Sequence, residues 1–130
     1  MKLLKELCQT QAPSGEEFLM TEYILKFINI EKNNWKFKPE IYFGKDFQDS
    51  IVLCFGKPKT AIFAHMDSIG FTVGYNNELI KIGGPVTDNK IVLVGHDEIG
   101  LIEGEIIKKK NKIYIEFERE INRGTSLTFK

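Results

Sequence analysis

The chain has 130 residues, of which 42% are hydrophobic, enough for the core of one small domain or slightly more. Its 18 basic residues equal its 18 acidic residues, so net charge does not favour nucleic acid or an anionic membrane as a partner. A signal-peptide pattern and an apolar run of about eighteen residues are both missing, and we therefore expect a cytoplasmic protein without a membrane partner.

Two helices are predicted first. Residues 2–10 repeat apolar side chains at the spacing of a short amphipathic helix. Ser14 and Glu17 form the Ser-x-x-Glu pattern of a capping box, which predicts a second helix to about Ile30. Acidic residues at this place are interpreted as helix N-terminal charges and not as catalytic carboxylates. The predicted buried face of the second helix is Met20, Tyr23, Ile24, Phe27 and Ile28.

Strands are predicted after the helices. Residues 35–43 alternate apolar side chains, and Pro39 suggests an edge strand or a bulge. Residues 51–55 and 60–64 are continuous apolar runs, as in central strands that are covered on both faces. Residues 69–75 and 79–82 predict a hairpin that turns at Asn76 and Asn77. Helices followed by strands predict an α/β fold class, with helices packed on a mixed sheet.

One domain boundary is predicted at Gly83, Gly84 and Pro85, which divides the chain into residues 1–84 and 85–130. Residues 91–94, 101–107 and 113–117 predict short strands and no helix, so a small all-β barrel-like unit is expected. Residues 108–112 are rich in lysine. We interpret them as a solvated hairpin tip and not as a nucleic-acid patch, because acidic residues lie nearby.

His65 and Asp67 follow directly after the apolar run at residues 60–64. On an extended backbone their side chains point to the same side, because they are two residues apart. A neutral imidazole binds zinc-like ions well, and a nearby carboxylate can orient the ring. The alternative is that His65 is a hydrogen-bonded core histidine and that Asp67 caps the next turn.

His96 is the only other histidine and is also followed by an aspartate. His65, Asp67, His96 and Asp97 could converge on one ion, whereas the glycines at positions 95 and 100 favour a hairpin turn here. A catalytic zinc normally takes three protein ligands, so two histidines offer few donors for a complete centre.

Two motifs carry a resemblance to a known family. The Ala-His-Met-Asp run at residues 64–67, followed by Ile-Gly-Phe after one serine, resembles the strand-end motif of the glutamyl and tetrahedral aminopeptidases. The Ala-Pro-Ser-Gly-Glu-Glu run at residues 12–17 is similar to the turn between the first two helices of that family. The resemblance covers residues 3–84 and extends more loosely to the end.

The resemblance implies a metal-dependent aminopeptidase that hydrolyses N-terminal residues from peptide substrates. Its cofactors would be two divalent metal ions, zinc or cobalt. His65 would be a metal ligand, and Asp67 would be the catalytic-site residue that orients it. Residues 1–84 would be part of a zinc-peptidase-like catalytic domain, and residues 85–130 part of a β-barrel-like insert that forms a homo-oligomer.

The family's other metal ligands and its catalytic glutamate lie far downstream of the His-Met-Asp motif, beyond the inserted domain. We therefore expect the chain to be the N-terminal portion of a longer enzyme, inactive by itself. Two other classes of function stay open: a non-catalytic, peptidase-like module for assembly or binding, and a structural β-domain without a site.

Overall fold

The computed structural model describes residues 2–130. These residues contain two α-helices, α1 (Lys2–Gln9) and α2 (Phe18–Glu31), and eight β-strands. The strands are β1 (Glu40–Tyr42), β2 (Val52–Cys54), β3 (Gly70–Val73), β4 (Leu79–Ile82), β5 (Val92–His96), β6 (Leu101–Lys109), β7 (Lys112–Glu116) and β8 (Ser126–Phe129). Short 3₁₀ turns lie at Lys32–Asn34, Lys45–Phe47 and Tyr75–Asn77. The chain divides into two compact units between Asp67 and Ser68.

The helices of the first unit form close to where the apolar spacing predicts them. Of the five residues expected on the buried face of α2, Met20 and Ile28 are buried and the other three are half-buried. Thr21 is buried as well, and its hydroxyl donates a hydrogen bond to the carbonyl oxygen of Asp49. This contact ties α2 to the loop before β2.

The predicted capping box at the start of α2 is wrong. Glu17 occupies the N-cap position without a side-chain capping bond, and its carboxylate accepts a hydrogen bond from the Gly15 amide at 2.8 Å. The Ser14 hydroxyl is directed instead to the Asp67 carboxylate. A serine can satisfy a distant acceptor as well as a local amide, and sequence spacing does not distinguish the two.

The second unit, Ser68–Lys130, is one antiparallel sheet of six strands in the order β4-β3-β8-β5-β6-β7. The sheet curls until its two edges nearly meet, since Glu78 before β4 forms a bridge to Tyr114 in β7. Positions in β6 alternate as expected for a sheet with one covered face: Ile102 and Ile106 are buried and Glu103 and Glu105 are exposed.

The core of this barrel-like sheet comes entirely from the second unit. Phe71 in β3 and Phe129 in β8 pack edge to face, with ring centroids 5.6 Å apart. Each fully buried aliphatic or aromatic side chain contributes roughly 1.5–3 kcal/mol by leaving water. The buried cluster consists of Phe71, Val73, Leu79, Leu93, Ile102, Ile106, Ile115, Ile121 and Leu127.

The expected fold class, helices packed on a mixed sheet with a separate β insert, is wrong. Every strand pair in residues 2–130 is antiparallel, and β3 and β4 join the same sheet as the strands beyond residue 85. β2 pairs only with β1, in a two-stranded ribbon. Residues 60–64 are not a strand at all, and Ile62 and Phe63 are 95% and 92% exposed.

The physical reason lies in what an apolar run encodes. A short run of apolar residues signals burial but does not specify a partner strand, because pairing depends on segments far along the chain. No described segment pairs with residues 60–64, so their apolar side chains stay in contact with water.

Candidate functional site

The candidate site lies in the first unit, on the segment without regular secondary structure that carries His65 and Asp67. The His65 side chain is 87% exposed and the Asp67 side chain 37% exposed. The interpretation of His65 as a core histidine is therefore wrong. The expected proximity of the two side chains is confirmed, since His65 Nδ1 lies 3.3 Å from Asp67 Oδ1.

Asp67 contacts the imidazole at two places. His65 Nδ1 lies 3.0 Å from the main-chain oxygen of Asp67 and 3.3 Å from its carboxylate. A carbonyl oxygen and an ionised carboxylate can only accept hydrogen bonds, so Nδ1 must carry the proton. In the neutral ring, Nε2 then keeps its lone pair, which is the form that a metal ligand needs.

Ser14 fixes the carboxylate from the other side. Its hydroxyl donates a hydrogen bond to Asp67 Oδ2 at 2.7 Å. This bond is the main reason why the pKa of Asp67 lies below its ordinary value, and the backbone amide of Asp67 and the imidazole of His65 also favour the ionised form. Ser14, Asp67 and His65 thus form a chain of three groups that ends in one oriented imidazole.

The sequence pattern predicts Ser14 as a helix cap and does not predict its contact with Asp67. The two residues are 53 positions apart, and no local pattern links them. The sequence signal that comes closest is the presence of both residues in motifs of the same resembling family.

His96 and Asp97 do not extend the site. Asp97 lies in the turn between β5 and β6, as the flanking glycines predicted, and its side chain is 1% exposed. Its carboxylate binds the Arg119 guanidinium through two bonds of 2.7 and 2.8 Å and also accepts the Gly100 amide at 3.1 Å. Arg119 chiefly holds the pKa of Asp97 well below its usual range. Asp97 is thus already committed to holding this turn.

The donors needed for a whole metal centre do not come together in residues 2–130, where no three His, Cys, Asp or Glu side chains form a group that could hold an ion. A zinc centre takes three or four protein ligands. The described residues fit one ligand position, that of His65, and do not fit a complete zinc or cobalt site.

Comparisons with known proteins add no family assignment. No protein-family model matches the chain, and no curated protein matches it at a significant level. Among residues 2–130, no helix has the length and apolar character needed to cross a membrane.

Proposed function

We propose that the chain is the N-terminal portion of a metal-dependent aminopeptidase, to which it contributes His65 as one metal ligand. The observation that carries the proposal is the tautomer set by Asp67: Nδ1 is held as a donor, and Nε2 of an exposed ring keeps its lone pair. Ser14 and Asp67 are positioning residues for that imidazole. The remaining ligands would come from outside residues 2–130.

The first test replaces His65 by Ala in the complete protein. Hydrolysis of aminoacyl p-nitroanilides should be lost, because the ion would lose a ligand. His96→Ala is the matched control, since it removes the other histidine, on the second unit, and should leave the rate unchanged. Full activity in His65→Ala would sink the assignment.

Asp67→Asn tests the positioning role separately. An amide at this place can no longer hold Nδ1–H through a full negative charge, so metal retention should weaken by about 10–100-fold while the fold persists. Metal content after dialysis, measured by atomic emission, reads this out. A content equal to that of the wild-type protein would contradict the role of Asp67.

The proposal includes two further features, a homo-oligomeric state and a cytoplasmic location. Assembly into a homo-oligomer through residues 85–130 is favoured by three exposed apolar side chains, Val86, Ile99 and Leu101. A cytoplasmic location is favoured by Cys8 and Cys54, which are both free thiols. Sedimentation of the complete protein as a monomer would contradict the oligomer.

A non-catalytic assembly or binding module is the second candidate function. It is favoured by the exposure of Ile62 and Phe63, because large apolar side chains beside the motif suit burial against a partner better than contact with water. In this case metal retention and hydrolysis would both be missing from the complete wild-type protein.

A further inference from the structure

A groove of about 380 Å³ opens on the barrel-like sheet, beside β4 and the β6–β7 hairpin. Four lysines line it: Lys81 from β4, Lys108 from β6, Lys110 from the hairpin turn and Lys112 from β7. These residues are spread over two parts of the chain, so the sequence shows only the cluster at residues 108–112. In the folded chain Lys81 joins that cluster, and the β6–β7 hairpin forms one wall of the groove.

The positive charge of the groove is only partly neutralised. Lys112 Nζ lies 2.7 Å from Glu78 Oε2, and Lys108 Nζ lies 3.1 Å from Asp88 Oδ1. Among the ion pairs of residues 2–130, Lys81 and Lys110 have no carboxylate partner. Two of the four ammonium groups are therefore available for an anion, and the other two are already fixed in place.

The backbone around the groove is held by several contacts. The Lys108 amide donates to Asn89 Oδ1 at 2.8 Å, and the Lys109 ammonium lies 5.7 Å from the centre of the Tyr114 ring. Glu78 bridges to Tyr114 across the gap between the sheet edges. Because these contacts order the strands before any ligand binds, less conformational entropy is lost when the lysines bind an anion.

The remaining lining residues are of three kinds. One is the carboxylate of Glu78, which is already paired with Lys112. Thr87 and Asn111 offer neutral polar groups at the wall, whereas Leu79 and Ile113 provide apolar surface. Leu79 is almost fully buried and belongs to the barrel core, so this part of the groove is rigid. The volume of about 380 Å³ falls within the ~300–1,000 Å³ typical of small-molecule sites.

We propose that this groove binds a small molecule that carries two or more phosphate groups. Phosphate oxygens accept strong charge-assisted hydrogen bonds from ammonium groups, and two such groups would occupy the two unpaired lysines together. A long nucleic acid is disfavoured, because Glu105 and Glu116 lie opposite each other on the same hairpin, are exposed, and would repel a backbone that continues past the groove. No residue of the first unit takes part, so this site is independent of His65.

The test uses inorganic triphosphate as the probe with the full chain. Calorimetry should give one saturable site, and amide shifts in an NMR titration should be confined to residues 78–81, 87–89 and 108–113. Raising the ionic strength from about 0.01 M to about 0.15 M shortens the Debye length from ~30 Å to ~8 Å and should weaken binding.

Paired variants make the result specific. Lys81→Gln with Lys110→Gln should weaken triphosphate binding by about tenfold or more, since each substitution removes a charge-assisted hydrogen bond to a phosphate oxygen. Lys57→Gln with Lys59→Gln removes the same charge from exposed positions of the first unit and should leave the affinity unchanged. Circular dichroism of both double variants checks that the fold is retained.

Three outcomes would overturn the proposal. One is the absence of saturable binding. Another is an equal loss of affinity in both double variants, which would mean that triphosphate responds to net charge alone. The third is tighter binding of a single-stranded oligonucleotide than of triphosphate, with shifts that spread beyond the groove, which would identify a nucleic-acid surface instead.

Discussion

At the scale of single residues, Ser14 decides how Asp67 is charged and oriented. The serine hydroxyl donates to Oδ2, so Oδ1 remains directed to the imidazole of His65. A hydrogen bond to an ionised carboxylate stabilises that form over the protonated one, which is why the pKa of Asp67 is lowered. The chain thus holds this imidazole in one tautomer through a contact between residues 53 positions apart in the first unit.

Replacing Ser14 by Ala should raise the pKa of Asp67 towards its ordinary value, because the main cause of the lowering is removed. The sign for stability follows from the lowered pKa: the folded state gains from ionised Asp67 above the ordinary pKa, and this gain disappears as the pH falls through the folded-state pKa. Ser14→Ala should therefore cost stability at neutral pH and cost little at strongly acidic pH.

The measurement is an NMR titration that follows the Asp67 side-chain carboxyl carbon, together with urea unfolding at neutral and acidic pH. Ser50→Ala is a suitable control, because Ser50 is exposed in the first unit and its backbone amide, which the substitution leaves unchanged, bonds to the Phe47 carbonyl. An unshifted Asp67 titration in Ser14→Ala would show that Ser14 does not set the charge of the site.

At the scale of elements, β8 joins the two halves of the barrel-like sheet. Its register places Leu127 opposite Phe71 in β3 on one side and opposite Gly95 in β5 on the other. Atoms of β8 therefore occupy the space that a side chain at position 95 would fill. A Cβ at that position would lie 2.5 Å from the Ser126 carbonyl oxygen and 2.5 Å from Leu127 Cδ2.

Gly95→Ala should therefore destabilise the second unit by roughly 1–3 kcal/mol, as overpacking usually does, because a backbone carbonyl cannot move aside without breaking sheet pairing. Gly74→Ala is the matched control, since its Cβ would come no closer than 3.4 Å to any neighbour. Urea unfolding of the two variants should separate them by that margin. Equal midpoints would mean that β8 can shift away from β5.

The elements differ in how far the sequence predicts them. Helix α1 follows from apolar spacing, whereas α2 forms as predicted although its capping box does not. The turn at Asn76 and Asn77 follows from residues that tolerate positive φ, which both adopt. The position of β8 between β3 and β5 could not be predicted, because it depends on pairing between segments tens of residues apart. The prediction of a strand at residues 60–64 was wrong for the same reason.

The candidate site and the lysine groove also contain some contacts that the sequence predicts and others that it does not. The contact between His65 and Asp67 agrees with the proximity predicted from their spacing of two residues, although their segment is not a strand. The contact between Ser14 and Asp67, and the addition of Lys81 to the lysines of the hairpin, both require the tertiary fold. Local geometry is encoded locally, whereas the partners that set charge and orientation come from remote segments.

At the scale of the whole molecule, the two units differ in how completely they bury apolar side chains. The nine residues of the main hydrophobic cluster all belong to Ser68–Lys130. In the described part of the first unit, the buried hydrophobic residues are Ala12, Met20 and Ile28, whereas Ile62 and Phe63 are almost fully exposed. Burial of apolar surface is the main favourable term in folding, so the units should differ in intrinsic stability.

Residues 68–130 expressed alone should fold cooperatively, with a dispersed amide NMR spectrum that overlays on the signals of the same residues in the full chain. Residues 1–67 alone should instead bind an apolar dye such as ANS and unfold without a sharp transition, as loosely packed states do. Urea unfolding of both fragments would be monitored by circular dichroism and by dye fluorescence.

A cooperative transition in residues 1–67 without dye binding would contradict this view, because it would mean that a well-packed unit tolerates Ile62 and Phe63 in contact with water. A cooperative transition confined to residues 68–130 would instead identify the barrel-like sheet as the stable part of the molecule. The segment that carries His65 would then need contact with a partner to become well ordered.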